Sequence, residues 1–354
     1  MVIRKTESAS LDESRMAESS ARANLEQPSA RRFLWLLLRF AVGIGLIVYL
    51  VRSGAIELRL LSKLFSAWPL SLLGLAIIFI DISLMALRLC WLLSPRGLDL
   101  SFASSLKLAL VSSFFATFLP GTTGGDIVKL FYAAKENQGR RTEIVTVVIF
   151  DRLLGLFSVL LLPLLFAPLF SQLIQAVAVL RYLLITSAVL SACLLGGLFA
   201  CLFAPSVVNR VLAWGLRFVS AERFVERTVQ TIAGYRLSPG TLGAALGLSL
   251  MANLSLIAVT AVAILILHPA SMTMKICILI PLGDLANSLP LTPGGLGVGE
   301  AAYNVLFRVT GLEGGADVLL CWRIWRAAVG LIGLAFYLAG LGRTVHHAPV
   351  SNSH

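Results

Sequence analysis

The chain has 354 residues, 58% of them hydrophobic and only 13% charged, with a mean hydropathy of +0.88. Soluble globular chains carry about 45–50% apolar and about 25% charged residues, so this composition excludes a soluble surface and requires an all-α polytopic membrane protein. The formal charge of +11 does not point to nucleic acid, because the basic residues fall between apolar runs and form no groove or motif.

Residues 1–32 are rich in Ser, Ala, Glu and Arg and read as a disordered cytoplasmic tail. The first apolar run begins only near Phe33, too far along for a cleavable signal peptide, and reads as an uncleaved anchor. A bilayer-crossing helix needs about 20 apolar residues, which predicts spans at 33–51, 69–93, 144–170, 182–203, 241–267 and 316–341. Residues 342–354 make a second short cytoplasmic tail.

Two further apolar stretches, 102–119 and 272–289, run directly into glycine-rich turns. The first turn contains Pro120, Gly121, Gly124 and Gly125; the second contains Pro290, Pro293, Gly294, Gly295 and Gly297. Both read Leu-Pro-x-Thr-x-Gly-Gly, an internal repeat that outweighs either motif alone. Arg31 and Arg32 put the N-terminus inside. Keeping Lys129, Lys135, Arg140 and Arg141 inside as well requires 102–119 to enter the membrane, turn and return. The same reasoning puts Arg210–Arg236 inside, makes a second hairpin of 272–307 and brings both termini to the cytoplasm. Arg52, Arg59 and Lys63 then fall outside, against the charge rule. Halves of about 33–170 and 182–341 each have two spans, a hairpin and a further span. Three crossings invert the second half, the plan of many secondary transporters.

Irregular backbone at membrane depth survives only where protein or water satisfies it, so the two turns imply a polar cavity. The helices that follow restart near Asp126 and Glu300, which can either cap those N-termini or meet a substrate. Ionisable side chains inside spans are costly and face cavities. Asp81 and Arg88 share one helix face two turns apart, and Asp284 precedes the second turn. Arg152 and Arg323 occupy nearly equivalent positions in the two halves, with Arg326 one turn further on. These arginines read as guanidinium forks for a lipid phosphate, or as partners of Asp126 and Glu300. Asp151 and Arg152 lie near the cytoplasmic end and read as snorkelling, as do Lys107, Lys129, Lys275 and Arg308. The five cysteines lack CxxC or metal-ligand spacing, and no histidine is paired with a nucleophile; neither a catalytic residue, a metal site nor a cofactor is indicated. Asn253-Leu254-Ser255 fits a glycosylation pattern but sits in mid-span.

The two turns with their flanking helices resemble the lysylphosphatidylglycerol synthase transmembrane-region family, also described as flippase-like membrane proteins. Pro290, Pro293, Gly294, Gly295, Gly297 and Glu300 match that family's Pro-x-x-Pro-Gly-Gly-x-Gly-x-x-Glu pattern. The first turn departs slightly, with Gly125-Asp126 where Gly-Glu is frequent. The resemblance covers about 33–341 and implies movement of lipids, or of lipid-linked groups, across the bacterial cytoplasmic membrane. Bifunctional members add a soluble domain that transfers lysine to phosphatidylglycerol; this chain stops just after its last span, so that activity is expected to be absent. Membrane lipids are the expected partners, with proteins of envelope-lipid biosynthesis as a second class. A membrane-embedded lipid-modifying enzyme and a non-transporting accessory subunit are the alternative functions.

Overall fold

The computed structural model describes residues 58–98, 100–117, 125, 129–130, 140–215, 222–288 and 295–339. The expected span at 33–51, both tails, and Pro120, Gly121, Gly124, Asp126, Pro290, Pro293 and Gly294 lie outside the described residues. Among the described residues the regular elements are all helical.

Helix α1 (Leu58–Ser66) leads into α2 (Trp68–Leu93), which begins with a proline in its first turn. A proline there forfeits no helical hydrogen bond and brings a φ already suited to the helix. Helix α3 (Phe102–Ala116) is capped by Ser101, whose hydroxyl accepts the Ser104 N–H at 3.2 Å. Helix α4 (Arg141–Phe166) carries Pro163 near its end and then tightens into a 3₁₀ turn, Ala167–Phe170. The missing proline N–H breaks the i to i−4 ladder at that point. The short α5 (Ser171–Ala176) and the long α6 (Ala178–Phe203) follow. Helices α7 (Pro205–Gly215) and α8 (Glu222–Ala233) fill the basic segment between α6 and the next long helix, where no helix is predicted from hydropathy. Helix α8 is too polar for a hydropathy signal but buries Val229 and Ile232 on one side, as amphipathic helices do. Helices α9 (Pro239–Leu267), α10 (Ile276–Asn287), α11 (Val298–Val309) and α12 (Gly315–Leu338) complete the described chain.

Among the described residues five segments are long and apolar enough to cross a bilayer: α2, α4 with its continuation through Ala176, α6, α9 and α12. They match the spans expected at 69–93, 144–170, 182–203, 241–267 and 316–341 to within a few residues. Helices α3 and α10 are also apolar but have only 15 and 12 residues. At about 1.5 Å per residue they reach roughly 22 and 18 Å, short of a hydrocarbon core of about 30 Å.

The packing is centred on α2 against α9. Helix α3 packs on α12 and α10 packs on α4, each short helix meeting a long one distant in sequence. Helix α11 wedges between α10 and α12. The main core is built from Ile78, Ile82, Ile264, Ile278, Leu319 and Trp325, among others. A smaller core gathers Leu92, Ile144, Val147 and Tyr235, whose hydroxyl donates to the Leu92 carbonyl. Leu72, Ile80, Tyr182, Phe199 and Leu331 point outward, and α6 has the least buried surface of the five spans. In a bilayer those side chains face acyl chains, so their exposure costs nothing.

Candidate functional site

Helices α2, α3, α4, α9, α10 and α12 surround a polar cavity. Its wall includes Asp81 and Arg88 of α2, Ser112 and Ser113 of α3, and Asp151 and Arg152 of α4. Ser249 and Asn253 of α9, Asp284 of α10, Trp322 and Arg326 of α12, and Lys129 close it. The space open to the centres of water-sized molecules is about 140 Å³. That is room for roughly ten water molecules.

Arg88 is fully engaged. Its Nε and Nη2 donate to the two carboxylate oxygens of Asp151 at 2.5 and 2.9 Å, and its Nη1 donates to Ser249 Oγ at 2.8 Å. The Asn253 amide then donates to Ser158 Oγ at 2.7 Å and to the Ser249 carbonyl at 2.9 Å. Arg88 and Asp151 are 6% and 3% exposed, so this is a desolvated two-pronged pair. Across the cavity Arg326 lies 3.5 Å from Asp81 and stacks over the Trp322 ring at 5.1 Å.

A third constellation sits behind the wall, at the second glycine turn. Gly295 and Gly297 have φ of +73° and +83°, a region that side chains with a Cβ rarely adopt. Helix α11 starts immediately afterwards, and Glu300 Oε2 accepts the Gly297 N–H at 2.7 Å. Glu300 Oε1 accepts from Arg323 Nε at 2.7 Å, while Arg323 Nη2 donates to Asn287 Oδ1 at 2.8 Å and to the Gly295 carbonyl at 3.0 Å. Asn287 Nδ2 in turn donates to Asp284 Oδ1 at 3.2 Å. One arginine thus ties α12 to α10, to the turn and to the start of α11. Gly299 makes this approach feasible, since a Cβ there would sit 2.6 Å from Asn287 Oδ1 and 3.1 Å from Arg323 Nη2. Gly299→Ala is therefore expected to overpack the turn and cost about 1–3 kcal/mol, measured as a lower melting temperature of the purified protein in detergent.

The residues singled out in the sequence come together selectively. Asp81, Arg88, Arg152, Asp284 and Arg326 line one cavity; Glu300 and Arg323 pair beside it. Glu300 is both an N-terminal cap and an ion-pair partner. Asp81 and Arg88 share the cavity face but take different partners, Arg326 and Asp151. Snorkelling is the wrong description of Asp151 and Lys129: both are buried in the cavity wall, at 3% and 8% exposure. Arg152 also lines the wall. Ser112, Ser113, Ser249 and Asn253 do not stand out by charge. The signal for the last two is their four-residue spacing inside an otherwise apolar span. Gly125 is buried against Ser112, where a Cβ would come within 2.6 Å of its hydroxyl oxygen.

No curated protein and no solved structure matches the chain. The family model described as the lysylphosphatidylglycerol synthase TM region matches residues 36–336, which takes in every described residue lining the cavity. The chain is a multi-pass membrane protein with a charged cavity among its helices, and it belongs to the lysylphosphatidylglycerol synthase TM region family.

Proposed function

We propose that the protein is a flippase-like transporter that carries a lipid across the bacterial cytoplasmic membrane, its headgroup in the cavity and its tails in the bilayer. The observation that carries this reading is the cavity itself. Among the described residues, four cationic side chains (Arg88, Arg152, Arg326 and Lys129) face three carboxylates (Asp81, Asp151 and Asp284) among apolar helices. Charges at membrane depth are costly and mark substrate pathways. The excess of cations among the described residues favours an anionic headgroup such as a phosphate.

The inverted-repeat reading draws its support from the exchanged packing. If α2, α3 and α4 correspond to α9, α10 and α12, the contact of α3 with α12 is the counterpart of that of α10 with α4. The α2–α9 contact then lies on the axis relating the halves. The short α3 and α10 become one limb each of two re-entrant hairpins. In this arrangement residue 140 and the connection carrying α7 and α8 face the cytoplasm, together with both termini. A single cysteine at Arg140, which is exposed, should resist a membrane-impermeant thiol reagent in intact cells and react after permeabilisation. Equal labelling in intact cells would mean that the α3 segment crosses fully.

Transport is distinguished from a lipid-modifying enzyme and from an accessory subunit by following labelled lipid in vesicles for both position and identity. Transport requires that lipid change leaflet and keep its structure. No aminoacylated lipid is expected when charged lysyl-tRNA and phosphatidylglycerol are supplied. A new lipid species would establish the enzyme, and unchanged lipid in its original leaflet would favour the accessory role.

A further inference from the structure

We propose that Asp284 is a proton-binding site and that anionic headgroup and proton enter the cavity together, making the transport a proton-linked symport. This inference rests on the reading of the cavity as a headgroup site. Of the carboxylates on the cavity wall, Asp151 is gripped by Arg88 and Asp81 faces Arg326, whereas Asp284 has no cation within 4 Å among the described residues. Its hydrogen bond comes from the Asn287 amide.

That amide cannot turn around. Arginine only donates, so Arg323 Nη2 requires the oxygen of Asn287 and leaves its NH₂ for Asp284 Oδ1. Asp284 Oδ1 is therefore fixed as an acceptor, and the incoming proton goes to Oδ2. The chain Asp284–Asn287–Arg323–Glu300 ends on the Gly297 N–H, so the charge at the cavity is felt at the turn that starts α11.

The charged groups around Asp284 set the sign of the coupling. From α4 come Asp151 and Arg152, from α12 Arg323 and Arg326, from α11 Glu300 and Tyr303, and from α2 Asp81 and Arg88, while Lys129 lines the same cavity; α9 contributes no titratable side chain over its length. Arg152 and Arg326 lie within electrostatic reach of Asp284 and line the same cavity. An ionised Asp284 competes with a phosphate for these two guanidinium groups. A phosphate docked on them favours the neutral carboxyl group, because like charges oppose ionisation. The linkage is reciprocal, so a proton on Asp284 strengthens anion binding as much as the anion strengthens proton binding. A second feature of the cavity also points to a ligand: the Ser113 hydroxyl lines it, is 4% exposed and has no hydrogen-bond partner among the described residues.

The test uses full-length protein in phosphatidylcholine vesicles with a trace of fluorescent phosphatidylglycerol and an imposed pH gradient, against protein-free vesicles under the same gradient. A gradient of one pH unit is a tenfold ratio of proton activity. Electroneutral one-to-one coupling therefore accumulates the anionic lipid up to about tenfold in the alkaline-side leaflet. Asp284→Asn should abolish the gradient-driven accumulation, so that whatever lipid the variant moves distributes without regard to the gradient. Should that variant fail to fold, an interior pH dye in wild-type vesicles tests the coupling directly: an inward lipid gradient must drive proton entry. Lipid movement indifferent to pH in the wild type, or gradient-driven accumulation retained in Asp284→Asn, overturns the proton site and leaves the transporter reading standing. Absence of any lipid movement in the wild type overturns both.

Discussion

Replacing Arg323 with glutamine should lower the stability of the folded protein by about 3–5 kcal/mol, the usual cost of stranding one member of a buried ion pair. Arg323 is 9% exposed and holds Glu300, Asn287 and the Gly295 carbonyl at once. Glu300→Gln should cost less, because a neutral amide oxygen can still accept from Arg323 or from the Gly297 N–H. If the pair acts only as a scaffold, combining the two substitutions should recover much of the loss, since no unpaired charge remains. Arg323→Lys keeps the charge but offers one ammonium where three acceptors lie in different directions. It should therefore fold less stably than wild type and loosen the turn. The measurement is thermal unfolding in detergent for the two single variants, the double variant and Arg323→Lys. A melting temperature for Arg323→Gln equal to that of the wild type would show that the network contributes nothing to the fold.

The second large effect is expected at Arg88 and Asp151. Asp151→Ala alone leaves a guanidinium desolvated beside Ser249 and should again cost about 3–5 kcal/mol. Replacing both residues with apolar ones of similar volume, Arg88→Met with Asp151→Leu, should restore most of that stability, as apolar replacements of buried pairs commonly do. Lipid movement should nevertheless be lost in the double variant, because two charges of the cavity wall are gone. A folded double variant that moves lipid at the wild-type rate would reduce this pair to a structural element.

Much of this arrangement is legible in the sequence, for reasons that differ between elements. The long spans announce themselves because lipid-facing surfaces need continuous apolar runs, as in α6, the least buried of the five. The pairing of Glu300 with Arg323 is legible as one of two alternatives, since a carboxylate just after a glycine turn and an arginine inside the next span each need a partner. Partner choice across helices is not legible. Asp81 and Arg88 lie on one helix face, yet α12 reaches the first and α4 the second. That depends on tertiary packing, not on spacing along the chain. For Asp151 and Lys129 proximity to a span end suggests snorkelling, whereas the surrounding helices cover both side chains. Neutral members of the site such as Ser249 and Asn253 carry no hydropathy penalty large enough to flag them. Helix α8 escapes detection because a helix that buries one face is too polar to register as a span.

The most direct test of a lipid pathway through this cavity is the rate at which a fluorescent anionic phospholipid in the inner leaflet of reconstituted vesicles becomes accessible to an external quencher. The comparison is between wild-type protein, empty vesicles and Arg326→Glu, each normalised to folded protein. Arg326 lines the cavity and lies 3.5 Å from Asp81. Wild-type protein should speed exchange well above empty vesicles, and the charge reversal should bring it back towards that baseline. Wild-type vesicles indistinguishable from empty ones, or an Arg326→Glu rate equal to that of the wild type, would contradict lipid passage through this cavity.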